Sequence, residues 1–372
     1  MSTKEEGNKE ANEIAVGDTI VIDNMDEEEE EEEEEVKRFT IEDVISIEKL
    51  SEDAESIRWV GTQGKKLVRI DSIAQLTELK SINLRSNVIE SVKGIEELKN
   101  ITNLELYDNR VKSMKRVANL TRLSILDMSF NRIKKVQALD QLVNLRKLYL
   151  ANNRLSEIPE DAFKSLRCLE VIDLGANRIR KMGSYLNVLE NLKELWLGKN
   201  KIEKIEGIDK LKNLVRLDVQ SNRLTSVESL PSLPNVEELY LSHNAIKSMD
   251  GVQRLPKLQT LDMSSNRISS FEQVDKLVYL EEFWMNNNPI ESFDEVERIA
   301  KANLKNLKTI YLTPKVIFFS FIFFRGNIFL AYLSALINII NPRVVITYVD
   351  HSEKFHKLAL LFKHRVKFLA IQ

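Results

Sequence analysis

LRKLYLANN, residues 145–153, carries the pattern on which the fold turns. Leu148 and Leu150 flank a single variable residue, Tyr149, with Leu145 three positions earlier and Asn153 three positions later. In a short strand, side chains alternate between faces, so Leu148 and Leu150 point one way and Tyr149 the other. The asparagine follows where the chain must turn, and its amide offers two donors and an acceptor to backbone groups left unpaired there.

The same frame recurs as LKSINLRSN, ITNLELYDN, LSILDMSFN, LEVIDLGAN, LKELWLGKN, LVRLDVQSN, VEELYLSHN, LQTLDMSSN and LEEFWMNNN. Its asparagines are Asn87, Asn109, Asn131, Asn153, Asn177, Asn200, Asn222, Asn244, Asn266 and Asn288, spaced by 22 to 24 residues. Ten matches in register predict a leucine-rich-repeat solenoid of the α/β class. Its parallel strands form a concave sheet, its short helical or irregular segments return along the convex side, and its asparagines form a buried structural ladder. Two longer repeats, one containing IPEDAFKSL, leave room for an extra helical turn.

Four zones follow. Residues 1–36 contain a run from Glu27 to Glu35 and read as a disordered acidic tail. Residues 37–78 read as an N-terminal cap with a degenerate first repeat lacking a clean strand; Ile41, Val44, Ile45 and Leu50 have helical spacing. The solenoid occupies residues 79–312, about ten full repeats and a partial one in LKTIYL. Residues 313–372 form an atypical hydrophobic and basic tail. The net charge of −3 conceals this partition: residues 1–35 carry −14, residues 36–312 carry +5 and residues 313–372 carry +6.

The middle residue of each L-x-L faces the concave surface. In order these are Asn83, Glu105, Asp127, Tyr149, Asp173, Trp196, Asp218, Tyr240, Asp262, Trp284 and Tyr311. From Asp127 to Trp284 acids and aromatics alternate, and no lysine or arginine enters the row. Large rigid aromatics bury area at low entropic cost, and carboxylates between them select cationic surfaces. The row predicts a protein-binding groove for a partly basic partner and disfavours nucleic acid, whose phosphates an acidic face repels. No Gly-rich phosphate loop, no Cys/His pair and no H-E-x-x-H motif is present, so the sequence predicts no enzyme, no cofactor and no metal site. The single cysteine, Cys168, excludes an internal disulfide framework.

The motifs LDMSFNRI, LGKNKI, QSNRLTSVE, ELYLSHN, SSNRI, EEFWMNNN and NLKTIYL are more specific than the generic frame. Over about residues 75–312 the chain resembles the leucine-rich-repeat regulatory subunit of protein phosphatase 1, the regulatory subunit 7 family. The resemblance implies a non-catalytic protein of nucleus and cytoplasm. In that family the concave face binds the phosphatase catalytic subunit, often with a second inhibitor protein. It assigns partner contacts to Asp127, Tyr149, Asp173, Trp196, Asp262, Glu282, Trp284 and Tyr311. Tyr149, Asp173 and Trp196 stand where well-known members carry Phe, Glu and Phe, so chemical character is kept and fit is changed.

The resemblance stops after Leu312, where Lys315 occupies the next ladder position. Nine of the fifteen phenylalanines lie in the tail, among residues encoded by A/T-rich codons, a composition that reads as translated intron or alternative exon. The competing readings are a divergent cap or a membrane span over 316–340, the latter interrupted by Arg325, Gly326, Asn327 and Asn338. Arg365 to Phe368, RVKF, matches a short phosphatase-docking pattern.

Overall fold

The computed structural model describes residues 38–290, 295, 298, 299, 302 and 304–311, and the backbone of 344–348 and 367–371. The acidic run, residues 316–340 and the first two residues of the RVKF stretch lie outside the described residues.

Each repeat contributes one three-residue strand. The chain opens with β1 (Arg38–Thr40), α1 (Ile41–Glu48), β2 (Ser56–Arg58) and β3 (Lys66–Arg69). It continues through β4 (Ser81–Asn83), β5 (Asn103–Glu105), β6 (Ile125–Asp127), β7 (Lys147–Tyr149), β8 (Val171–Asp173) and β9 (Glu194–Trp196). Then come β10 (Arg216–Asp218), β11 (Glu238–Tyr240), β12 (Thr260–Asp262), β13 (Glu282–Trp284) and β14 (Thr309–Tyr311). One twelve-stranded sheet runs from β14 back to β4 in sequence order and ends on β2, its pairs parallel. A residue in each strand therefore lies beside its equivalent in the next, as in Asp218↔Tyr240, Tyr240↔Asp262 and Asp262↔Trp284.

The middle residue of each strand and the apolar residue that follows the strand enter a continuous core; Leu148, Leu150, Leu195, Leu197, Phe283 and Met285 are all fully buried. Convex segments close that core with single 3-10 turns such as Asp71–Gln75, Lys115–Asn119 and Ser184–Val188. The extra residues of Pro159–Leu166 form successive turns, not a helical turn: Ala162 N–H reaches Pro159 O and Leu166 N–H reaches Phe163 O. Phe163, fully buried edge-on to Tyr185 at 5.8 Å, anchors that longer loop into the core.

The asparagines bond as the repeat geometry demands. Asn131 Nδ2 donates to Leu106 O, Met128 O and Ser129 O at 2.9–3.1 Å, and its Oδ1 accepts Val111 N–H at 2.8 Å. Each amide thus joins its own turn to the preceding repeat. Eight of the ten are buried; Asn222 and Asn244 make the same bonds half-exposed.

A second ladder runs along the flank where the chain enters the strands. Asn100, Asn144, Asn191, Asn213, Asn235 and Asn306 each donate to a carbonyl of the preceding repeat, at 2.8–3.3 Å. The recurring asparagine in LKNI, LVNL, LENL, LKNL and LPNV is its sequence signal.

At the N-terminal end the structure corrects the reading of residues 37–78. The degenerate repeat does have a strand, β2, which is the first of the sheet, with Ile57 in the L-x-L core position. SIR is too polar to announce itself, and its pairing with β4 decides its state. The KLVR segment instead pairs with β1. Helix α1 follows the expected spacing, burying Ile41 and Val44, and Asp43 Oδ2 accepts both the N–H and hydroxyl of Thr40 at its start. Beyond the solenoid, Val344–Tyr348 and Lys367–Ile371 pair in parallel as a separate two-stranded sheet. Among the described residues no helix is long and apolar enough to cross a membrane.

Candidate functional site: the concave face

Two residues per strand face the concave side, the first and the third. The third positions form the acid–aromatic row, and the structure brings Asp127, Tyr149, Asp173, Trp196, Asp262, Glu282, Trp284 and Tyr311 onto one sheet face. Their surroundings differ sharply.

The acids fold back on their own strands. Asp127 Oδ1 accepts the Ser129 N–H at 3.0 Å, Asp173 Oδ1 that of Gly175 at 2.8 Å, and Asp218 Oδ1 that of Gln220 at 3.0 Å. Asp262 Oδ1 accepts both the N–H and hydroxyl of Ser264, at 2.9 and 2.6 Å. Aspartate is short enough to bond a backbone amide two residues on, which explains Asp rather than Glu at this position. Burial pushes the carboxyls of Asp127, Asp173 and Asp218 above their usual range, against the pull of these N–H donors.

Asp218 and Asp262 are only 3% and 6% exposed. The row is uneven: Asp127 and Asp173 are half-buried, while Asp262, an expected contact, is nearly covered. Tyr240 and Trp284 flank it two strands apart, about 9.6 Å in an ideal sheet, yet their ring centres approach to 6.4 Å. The two rings lean together over the carboxylate.

The first positions add half-buried charge of their own. In β9, β11 and β13 the strand reads acid, core residue, aromatic, so each glutamate shares a face with the ring two residues on. Glu194 accepts the Trp196 indole N–H at 3.1 Å, and Glu238 accepts the Tyr240 hydroxyl at 2.8 Å. Tyr240 is pushed up to about 12, first by burial and then by Glu238. Sequence reasoning singled out Glu282 and passed over Glu194 and Glu238; the repeated E-x-aromatic triplet was their signal.

It also passed over Arg216. From the middle of the face this residue pairs with Glu238 and places its guanidinium 4.8 Å from the Trp196 ring centre and 5.5 Å from that of Tyr240. The third-position row is free of cations, but the groove is not.

Toward the C-terminal end the aromatics close up. Trp284 meets Tyr311 edge-on at 5.5 Å and Tyr240 at 6.4 Å. Its indole N–H, unlike that of Trp196, is buried without an acceptor. An orphaned buried donor costs on the order of 1–3 kcal/mol, which an acceptor brought by a docked partner would relieve; Trp59 carries an indole N–H in the same state. At the opposite end, Glu105 accepts from Asn83 and Asn103 at 2.9 and 3.0 Å and lies 3.6 Å from Arg85, whose guanidinium sits over Tyr107.

The arrangement is an open groove with an aromatic end, half-exposed glutamates and an internally paired centre, suited to docking a protein surface. Among the described residues no cluster of His, Cys, Asp and Glu is arranged to hold a metal ion.

Comparison with known proteins places this geometry. The "Leucine rich repeat" family model matches residues 143–186 and 212–268, and the two-copy "Leucine Rich repeats" model matches residues 190–232. No curated protein sequence matches the chain. Among solved structures, an internalin (inlF) of Listeria monocytogenes superposes with a TM-score of 0.68 at 21% identity, covering 86% of this chain and 88% of its own. A leucine-rich-repeat protein of Leptospira interrogans gives 0.59 at 28%, covering 67% and 71%. The functional domain of InlJ, also from Listeria monocytogenes, gives 0.55 at 23%, covering 64% and 50%. Repeat frame, parallel twelve-stranded sheet and family models agree on the fold: the chain is a leucine-rich-repeat solenoid.

Proposed function

We propose that the concave face docks the catalytic subunit of protein phosphatase 1, and that the chain is a non-catalytic regulatory subunit working in nucleus and cytoplasm, with a second inhibitor protein as a further partner. The observation that carries this reading is the Tyr240–Trp284–Tyr311 cluster, with Glu282 on the same strand as Trp284. A rigid aromatic patch with an unpartnered donor and an adjacent carboxylate is the composition of an interface anchor. The motif resemblance over residues 75–312 supplies the identity of the partner; the comparisons above support a protein-interaction scaffold in general.

The mechanism is regulation by holding. The groove engages a basic surface of the catalytic subunit, and what it covers alters that subunit's maturation or choice of other partners. Half-exposed glutamates steer the approach, and the aromatics supply the buried area. Affinity capture with the purified full chain tests this. The catalytic subunit is expected to be retained by wild type and lost on Trp284→Ala. Failure of the wild-type chain to retain it overturns the partner assignment and leaves a scaffold for another protein.

A further inference from the structure

The residue after each ladder asparagine forms a row of its own. In six consecutive repeats it is Arg110, Arg132, Arg154, Arg178, Lys201 and Arg223. Backbone bonds fix the row: Arg132 N–H donates to Val111 O, Arg154 to Ile133 O, Arg178 to Leu155 O and Arg223 to Ile202 O, all at 2.8–2.9 Å. Each cation is thereby held one turn from the next on the flank where the chain leaves the concave strands. At about 4.8 Å per turn the six span roughly 24 Å.

None of these cations is held in a close ion pair among the described residues. Elsewhere on the surface, bases reach acids one repeat away, as in Lys112–Glu90 at 2.9 Å, Lys193–Glu170 at 2.8 Å and Lys164–Asp140 at 3.2 Å. Among the described residues none of the six makes a salt bridge. Two residues further along each turn, the same flank adds Lys134 and Arg180, both exposed. The acids nearby include Glu90, which is held by Lys112 and also feels Arg110 and Arg132, together with Asp108 and Glu203. Arg154, Arg178 and Arg223 are exposed and the other three half-buried. A line of like charges at this spacing repels itself and gains from a polyanion laid along it.

We propose that this flank is a second docking surface, which binds an extended carboxylate-rich segment of a partner protein. About seven residues of extended chain cover the row at roughly 3.3 Å each. The row is one residue wide and bordered by the acidic concave face, so a narrow strand fits it. A nucleic-acid duplex, whose major groove alone is about 12 Å across, overhangs onto Glu105, Asp127 and their neighbours. Single-stranded nucleic acid calls for aromatic platforms repeated along its track, and along these six repeats Phe130, exposed against Tyr107, is the one aromatic immediately before a ladder asparagine.

The test is fluorescence anisotropy of a labelled decaglutamate peptide titrated with the full chain at low and high salt. Binding is expected to weaken with salt and to fall on the order of tenfold in the combined variant Arg132→Gln, Arg154→Gln, Arg178→Gln. It is expected to survive Lys210→Gln, Lys212→Gln, Lys257→Gln, which removes equal charge from the opposite flank, and to survive Trp284→Ala. Equal loss in the two triple variants reduces the effect to net charge and overturns the proposal. So does absence of peptide binding, and so does row-dependent binding of an oligonucleotide tighter than that of the peptide. None of these outcomes bears on the concave face, so the two surfaces stand or fall separately.

Discussion

Arg216 occupies the space between Trp196 and Tyr240, its guanidinium within 6 Å of both ring centres while its charge is paired with Glu238. The middle of the groove therefore carries a cation where a basic partner would bring its own. Replacing Arg216 with glutamine is expected to tighten capture of such a partner several-fold, with a steeper salt dependence. It also removes a positive charge that lowers the Tyr240 pKa, so the phenol should titrate still later in an absorbance titration. A several-fold loss of affinity instead assigns Arg216 to an acid on the partner.

How much of this was visible beforehand follows from what each feature depends on. The solenoid, its register and the asparagine ladder depend on local spacing, and ten repeats of L-x-L-x-x-N state that spacing without ambiguity. The strand at Ser56–Arg58 depends on a neighbour to pair with, which a single polar triplet does not advertise. The concave row was legible as a list of residues but not as a surface. That Asp262 is covered between Tyr240 and Trp284 follows from side-chain lean across two strands, a distance no periodicity encodes. Arg216, Glu194 and Glu238 stand two residues before the row on the same strands, and their pairing with the rings depends on cross-strand side-chain geometry that the repeat frame does not encode.

The two asparagine ladders predict unequal costs. Asn153 makes three donor bonds and accepts the Ile133 N–H, all in the core of its turn. Asn153→Ala strands those backbone groups and is expected to cost about 3 kcal/mol or more. Asn191→Ala loses one exposed bond to Arg167 O and should cost about 1 kcal/mol or less. Urea melts of the two variants check the contrast; equal costs would deny the inner ladder its structural role.

Asp218 sets a pH dependence. Its folded-state carboxyl is raised, chiefly by burial, so the stability it contributes is full below the unfolded value of about 3.9 and is lost as pH rises through the folded one. An amide at this position keeps an oxygen to accept the Gln220 N–H and carries no charge. Asp218→Asn should match wild type near a pH of about 3.5 and become the more stable protein by about pH 7. Thermal melts of both chains across that range test it, because the lowered carboxyls of Glu90, Glu170 and Asp275 are common to both and cancel in the difference. A difference that does not change with pH contradicts the assignment.

The central claim is that Trp284, wedged between Tyr240 and Tyr311, anchors the phosphatase catalytic subunit. Calorimetric titration of the purified catalytic subunit into the full chain, wild type and Trp284→Ala, measures it most directly. The expected result is a loss of about 2 kcal/mol or more, roughly thirtyfold in Kd, with the melting behaviour of the free variant little changed. Undiminished affinity in a folded Trp284→Ala chain would contradict it.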